Sequence, residues 1–388
     1  MRVVGYAYPW DVLDAPGFVE RARETGVDEV AVAVSYHSAR AATPWSPTGS
    51  SVLARHAALY RPVREEAWRA AALRPAAADW VAGPDSAGDA VRALNAAGMP
   101  AAAWIVLTHN SRLGTAFPHL AVRNCFGEGY PWALCPAQPE VRAYAATLTA
   151  ECVAGLDLAS VVLEACGPLG AVHQHQHEKT DGVWSPAVAR LLSVCCCPAC
   201  AAGWAGSGAR AEDVRGALRT EVRRLMDGGD LLAARDELPA AVRATVLATR
   251  QRSTDRLRRG VLAAVGAGTR IVLHGSLDPW ETGALPGLTP AAAAGVDAVV
   301  LQNWTPGAAG ADAVTHARRS LPPTVAVGSY VTAVAAQAVP DMASYVTDLA
   351  GAGADELHLY HLGLAGPGRH RDLRAAARAA RTARRRSP

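Results

Sequence analysis

Eight short runs of apolar and β-branched residues recur along the chain, each closing on polar or aromatic residues. They are Arg2–Tyr8, Glu29–Ser35, Ala101–Thr108, Ser160–Glu164, Arg270–His274, Ala298–Asn303, Thr324–Ser329 and Glu356–Tyr360. Short, near-continuous apolar runs suit strands covered on both faces, as in a parallel sheet. Between them lie Ala-rich stretches of helical character: Pro16–Glu24, Gly88–Ala97, Glu140–Ala154, Ala240–Ala264 and Asp341–Ala350. Helical ends are marked by glycine just before the next strand, at Gly26, Gly98, Gly295 and Gly353. Glycine stops a helix there because it enters the left-handed region without steric cost. Strand alternating with helix through eight cycles predicts an α/β fold, a (β/α)8 TIM-type barrel. A doubly wound open sheet is the alternative, but no glycine-rich phosphate loop follows the first strand.

Two strand-to-helix connections exceed what a bare barrel needs, at about 36–85 after the second strand and about 165–237 after the fourth. Structureless loops of that length are uncommon. Both are therefore expected to fold as lids on the face where such barrels carry their sites. The chain, 1–388, reads as a single barrel domain with these two insertions.

Composition narrows the partners. The formal net charge is only +3, and much of the excess lies in Arg371–Arg385, an Ala/Arg segment expected to be a solvated helix. Elsewhere Arg alternates with Asp and Glu, so no nucleic-acid partner is expected. The opening residues read as a strand and not as a signal segment, and no run is long and apolar enough to span a bilayer. The expectation is a cytoplasmic protein with no membrane partner, with a homo-oligomer left open. Structural disulfides are rare in that compartment, so the eight cysteines need another reason.

In a barrel, residues just past each strand converge on one pocket. Here they are Tyr8 and Trp10, Tyr36 and His37, His109 and Asn110, Glu164, His274 and Asp278, Asn303 and Trp304, Tyr330, and Tyr360 and His361. Aromatic faces with amide and imidazole donors suit stacking on a sugar and hydrogen-bonding its hydroxyls. A phosphate site would call for basic side chains and backbone N–H nests. Some of these aromatics could instead cap the barrel core. Glu164 ends the apolar run Ser-Val-Val-Leu-Glu, where partial burial raises a carboxyl's pKa toward acid/base work; a structural ion pair is the alternative. Glycoside hydrolysis normally needs a second carboxylate roughly 5–10 Å away. Asp278, before Pro279, is the first candidate, with a turn role as the alternative and Glu281, Glu178 and Asp181 in reserve. His173, His175 and His177, followed by Glu178, alternate in the second insertion. They could bind a metal, reach over the pocket as substrate ligands, or bond their own backbone.

Cys195, Cys197 and Cys200 form Cys-x-Cys-x-x-Cys, a spacing that lets three thiolates wrap one tetrahedral zinc. Earlier, Cys135 opens a Cys-Pro-x-x-Pro-Glu-x-Arg segment. That segment, a fourth strand ending in Glu, and then Cys-x-Cys-x-x-Cys resemble the zinc-containing bacterial β-galactosidases of the TIM-barrel glycoside hydrolases, over Leu134–Cys200. The resemblance implies a structural zinc on Cys135, Cys195, Cys197 and Cys200 and a general acid/base at Glu164. Three features depart from the family. Its Asn-Glu pair at the end of strand four is Leu163-Glu164, and its nucleophilic Glu on strand seven has no counterpart in Gly328-Ser329-Tyr330. The interval from Glu164 to Cys195 is also longer and carries the histidines. Cys166 and Cys196 are alternative ligands, and a buried thiol cluster is the metal-free alternative. The leading expectation is a hydrolase cleaving a small carbohydrate or glycoside with Glu164 and a second carboxylate. The rivals are a metal-dependent lyase or isomerase using the histidines, and a non-catalytic sugar-binding barrel.

Overall fold

The computed structural model describes residues 1–172, 179–180, 182–335 and 339–384. Among them, eight parallel strands form a ring: β1 (Arg2–Ala7), β2 (Glu29–Tyr36), β3 (Ala101–Val106), β4 (Ser160–Glu164), β5 (Arg270–His274), β6 (Ala298–Gln302), β7 (Ala326–Thr332) and β8 (Glu356–Tyr360). Arg2 of β1 pairs with Glu356 of β8, and Val4 with Glu29 of β2. The first strand thus joins both ends of the sheet and leaves no open edge. The fold is a (β/α)8 TIM-type barrel.

Around it lie α1 (Phe18–Thr25), α2 (Ser86–Ala96), α3 (Pro139–Val153), α4 (Pro186–Leu192), α5 (Pro198–Ala205), α6 (Ala211–Gly228), α7 (Ala240–Val265), α8 (Ala308–Ser320), α9 (Met342–Gly351) and α10 (Pro367–Arg384). α3, α4 and α5 each carry Pro in their first turn, where the missing N–H has no intrahelical partner to lose. Gly26 ends α1 in the left-handed region at φ 85°.

The structure differs from the sequence pattern in three places. The seventh strand starts at Ala326 because the Pro322-Pro323 turn runs on to Val325, whose amide donates to the Pro322 carbonyl (2.9 Å). Gly295 follows turns and not a helix, so β5 and β6 are joined without one among the described residues. The few alanines before it are too short a run to sustain helix nucleation. A third long connection follows β3, with a short helix Ser111–Ala116 and a hairpin Ala121–Arg123 with Gly129–Leu134. The first of its strands has only three residues and the second, Gly-Tyr-Pro-Trp-Ala-Leu, is broken by Pro131, so neither stands out as an apolar run.

The connection after β2 carries a hairpin, Ala39–Ala42 with Ser51–Ala54, and that after β4 carries α4, α5 and α6. At the N-terminal base of the barrel, Arg2 pairs with Glu29 and Arg270 with Glu356, while the Ser160 hydroxyl donates to Glu29. Glu29 and Glu356 are buried, and buried charge is tolerated when paired in this way.

Candidate active site

A cavity of about 700 Å³ opens at the C-terminal ends of the strands. Glu164 lies in its wall, almost wholly buried, with Trp104 Nε1 donating to its Oε2 at 2.8 Å. Burial pushes its carboxyl up to about 7, against the lowering effect of the Trp104 bond. The chain leaves Glu164 through Ala165 at φ 51°, a strained conformation for a residue with a side chain. That turn is held by the Ala165 amide on the Ala284 carbonyl (2.8 Å) and by the Thr108 hydroxyl on the Ala165 carbonyl (2.8 Å). Behind Glu164, His274 Nδ1 faces Oε2 at 3.6 Å and has no hydrogen-bond partner. Burial, assisted by the neighbouring His358, pulls the His274 imidazole down to about 3, so the ring is neutral at ordinary pH.

The walls are aromatic: Tyr36, His37, Trp304, Tyr330 and Tyr360 line the same cavity. Trp304 and Tyr360 lie at 5.3 Å between ring centroids, and Tyr330 meets Tyr360 edge-on at 5.7 Å. The Trp304 indole N–H and the Tyr330 hydroxyl are buried without a hydrogen-bond partner. Unpaired buried polar atoms are rare in folded proteins, and in a cavity wall they are positions for a ligand's hydroxyls. Asp278 lines the cavity too, its Oδ2 accepting from Arg190 (3.2 Å) and its Oδ1 from the Trp280 amide (2.9 Å). The turn role foreseen for it is therefore present, and Glu281 lies on the same wall.

Other strand-end residues support the wall without lining it. Tyr8 stacks on Trp10 at 4.5 Å, and His361 sits 4.5 Å from the Tyr8 ring. His361 Nδ1 accepts from the Gly363 amide (3.2 Å), and burial pulls its imidazole down to about 3. Asn110 caps the helix Ser111–Ala116 through its Oδ1 and donates to the Tyr144 hydroxyl. Asn303 donates to the Gly310 carbonyl (3.3 Å). His109 packs its ring 4.3 Å from that of His37. His173, His175, His177 and Glu178, with the reserve Asp181, lie outside the described residues. Trp104, Gln302 and His316 line the cavity and were not foreseen. Trp104 lies inside an apolar strand and reads as core; only the two-residue alternation of the strand points it into the barrel.

The four cysteines come together. Their sulfurs lie within 4.8 Å of one another, with Cys135 at 3.7 Å from both Cys197 and Cys200. Tetrahedral zinc with Zn–S bonds of about 2.3 Å would set sulfur–sulfur edges of about 3.8 Å, so the four thiols fit such an ion. Hydrogen bonding with Cys135, Cys195 and Cys200 holds the Cys197 thiol far below its usual range. The Cys196 sulfur turns away toward the Val194 carbonyl (3.6 Å). Cys166 is buried, and it is not part of the cluster.

A second hollow, of about 750 Å³, lies between α9 and α10 and has neither an aromatic wall nor a buried carboxylate. No helix of the described residues is long and apolar enough to cross a membrane.

No protein-family model matches the chain. No curated protein sequence matches it either. Solved structures do resemble it. An α-L-fucosidase isoenzyme from Paenibacillus thiaminolyticus superposes with a TM-score of 0.57 at 13% identity, covering 98% of this chain and 49% of that one. The PgaB (BpsB) glycoside hydrolase domain from Bordetella bronchiseptica gives 0.57 at 14%, covering 97% and 99%. A catalytic mutant of a GH42 β-galactosidase from G. stearothermophilus gives 0.55 at 10%, covering 99% and 56%. The chain thus spans about half the length of the fucosidase and of the β-galactosidase. At these identities the likeness is one of fold, a barrel shared with glycoside hydrolases and with the β-galactosidase group that the cysteine and Glu164 motifs resemble.

Proposed function

We propose that the chain is a glycoside hydrolase in which Glu164 is the general acid. The observation that carries this reading is a protonatable carboxyl in the wall of an aromatic cavity, with its pKa raised by burial to about 7. A carboxyl in that state can protonate a leaving glycosidic oxygen near neutral pH. Trp304 and Tyr330 supply the unpaired N–H and O–H that a sugar's hydroxyls would satisfy, and Tyr36 and Tyr360 supply faces for its ring. Asp278, oriented by Arg190, is the second carboxylate of the proposal, as nucleophile or as base for water. The four cysteines would hold a structural zinc, since four thiolates leave no open position for water. The substrate is a small carbohydrate or glycoside.

A panel of aryl glycosides offered to the wild type and to Glu164→Gln tests the reading. Turnover by the wild type should fall by about 10²- to 10⁴-fold in the variant, while sugar affinity by calorimetry is retained. A wild type that binds sugars and cleaves none would make this a sugar-binding barrel. The engagement of both Asp278 oxygens by Arg190 and the Trp280 amide, and a tyrosine, Tyr330, in place of a carboxylate on β7, are what would favour that outcome.

A further inference from the structure

A column of hydrogen-bonding side chains runs down the inside of the barrel from Glu164. On the far side of the His274 ring, Nε2 is 2.8 Å from the Tyr6 hydroxyl. That hydroxyl is in turn 3.0 Å from His358 Nδ1. His358 Nε2 lies 3.2 Å from Glu356 Oε2, and Glu356 is ion-paired with Arg270 at the base. Tyr6, His274 and His358 are fully buried, and none lines the cavity.

Donor and acceptor chemistry leaves two self-consistent arrangements. Glu356 accepts as a carboxylate, so His358 Nε2 carries a hydrogen in both. In the first, His358 Nδ1 is bare and accepts the Tyr6 hydroxyl proton. Tyr6 oxygen then accepts from His274 Nε2–H, and bare His274 Nδ1 faces Glu164. Two acceptors would oppose each other there unless Glu164 holds the proton. In the second, His358 carries hydrogen on both nitrogens and every bond reverses. His358 donates to Tyr6, Tyr6 to His274 Nε2, and His274 Nδ1–H to an ionised Glu164.

The two arrangements contain the same number of protons and differ by three transfers. The Glu164 O–H breaks as Nδ1–H forms on His274. The His274 Nε2–H breaks as a new O–H forms on Tyr6, whose original proton passes to His358 Nδ1. No electrons are exchanged; a neutral acid and imidazole become a carboxylate and an imidazolium, with Glu356 as counter-ion.

We propose that His274, Tyr6 and His358 are a proton relay that stores the proton of Glu164 beside Glu356 and returns it. Resting on the hydrolase reading, the relay would return the stored proton to an ionised Glu164 from inside the barrel, before it is donated, while a sugar fills the cavity. The gap between Glu164 and His274 is 3.6 Å, just beyond a hydrogen bond, and the first transfer requires it to shorten to hydrogen-bond distance. Tyr6, Tyr36, Tyr330 and Tyr360 are the other titratable groups facing Glu164. Glu29, Glu356, Arg2 and Arg270 surround the far end.

The test follows both ends of the relay without substrate. The Glu164 carboxyl is read by carbon NMR, assigned with Glu164→Gln, and the His358 ring by nitrogen NMR, assigned with His358→Gln. Sites sharing one proton titrate as a pair, so in the wild type both signals should show the same inflections. Tyr6→Phe removes only the hydroxyl; it should uncouple the two curves and move the Glu164 inflection by about one pH unit. Independent curves in the wild type, or unchanged curves in Tyr6→Phe, overturn the relay. Should Tyr6→Phe not fold, the Glu164 curve in His358→Gln supplies the same comparison. Coupled titration in a protein that cleaves no glycoside keeps the relay and removes the hydrolase; uncoupled titration in an active one does the opposite.

Discussion

Glu164 ionises near 4.5 when solvated and near 7 in the folded chain. Between those values the folded state keeps a proton that the unfolded state has lost. The stability this contributes is complete below 4.5 and is lost as pH rises through 7, by about 1.4 kcal/mol per unit and about 3 kcal/mol in all. His274 and His361 act in the opposite sense. Held near 3 against 6.5 when solvated, they contribute stability that is complete above 6.5 and lost as pH falls. Glu164→Gln removes the first effect alone. Relative to the wild type it should gain stability steadily from pH 4.5 to 7, as read from urea midpoints. A difference that does not vary with pH would mean that Glu164 ionises as it does in solvent. At this scale the sequence was legible where a polar residue ended an apolar run, which singled out Glu164, Trp304, Tyr330 and Tyr360. It was illegible where a polar residue sat within one, because Tyr6, Trp104 and His358 have apolar chain neighbours and reveal themselves only by facing inward.

The barrel strands could be read because burial on both faces leaves an unbroken apolar run, a signal independent of neighbouring elements. The hairpin after β3 and the turn-only crossing from β5 to β6 could not, since each is fixed by what it packs against. The cysteine knot is an intermediate case: the spacing of Cys195, Cys197 and Cys200 is local, but Cys135 joins them only through the fold. α7 ties that knot to the cavity. Its Arg250 donates to the Trp280 carbonyl (3.0 Å) beside Asp278 and shares a small hollow with Cys135, Cys195 and Cys200. If the four cysteines hold the proposed zinc, a chelator or Cys200→Ser should speed amide exchange in α4, α5 and α6 while β1 to β8 stay protected. Metal analysis finding no zinc in the wild type, or exchange that is unchanged, would leave the knot as a plain thiol cluster.

Across the whole molecule, closure depends on β1 meeting both β2 and β8, and the Arg2–Glu29 ion pair of the base lies at that seam. Arg2→Leu would leave Glu29 buried with only the Ser160 hydroxyl, at a cost of about 3–5 kcal/mol. A double change of Arg2 and Glu29 to Met should recover most of that loss. Equal losses in the single and double variants would show that the pair does not matter to closure. The base is also where the polar column of the barrel ends, a barrel's depth away from any bound sugar. This has a consequence for directed evolution: selection for a shifted pH optimum should enrich substitutions at Arg270 and Glu356 alongside changes at the mouth. Libraries confined to residues touching the ligand would then leave Arg270 and Glu356 unsampled.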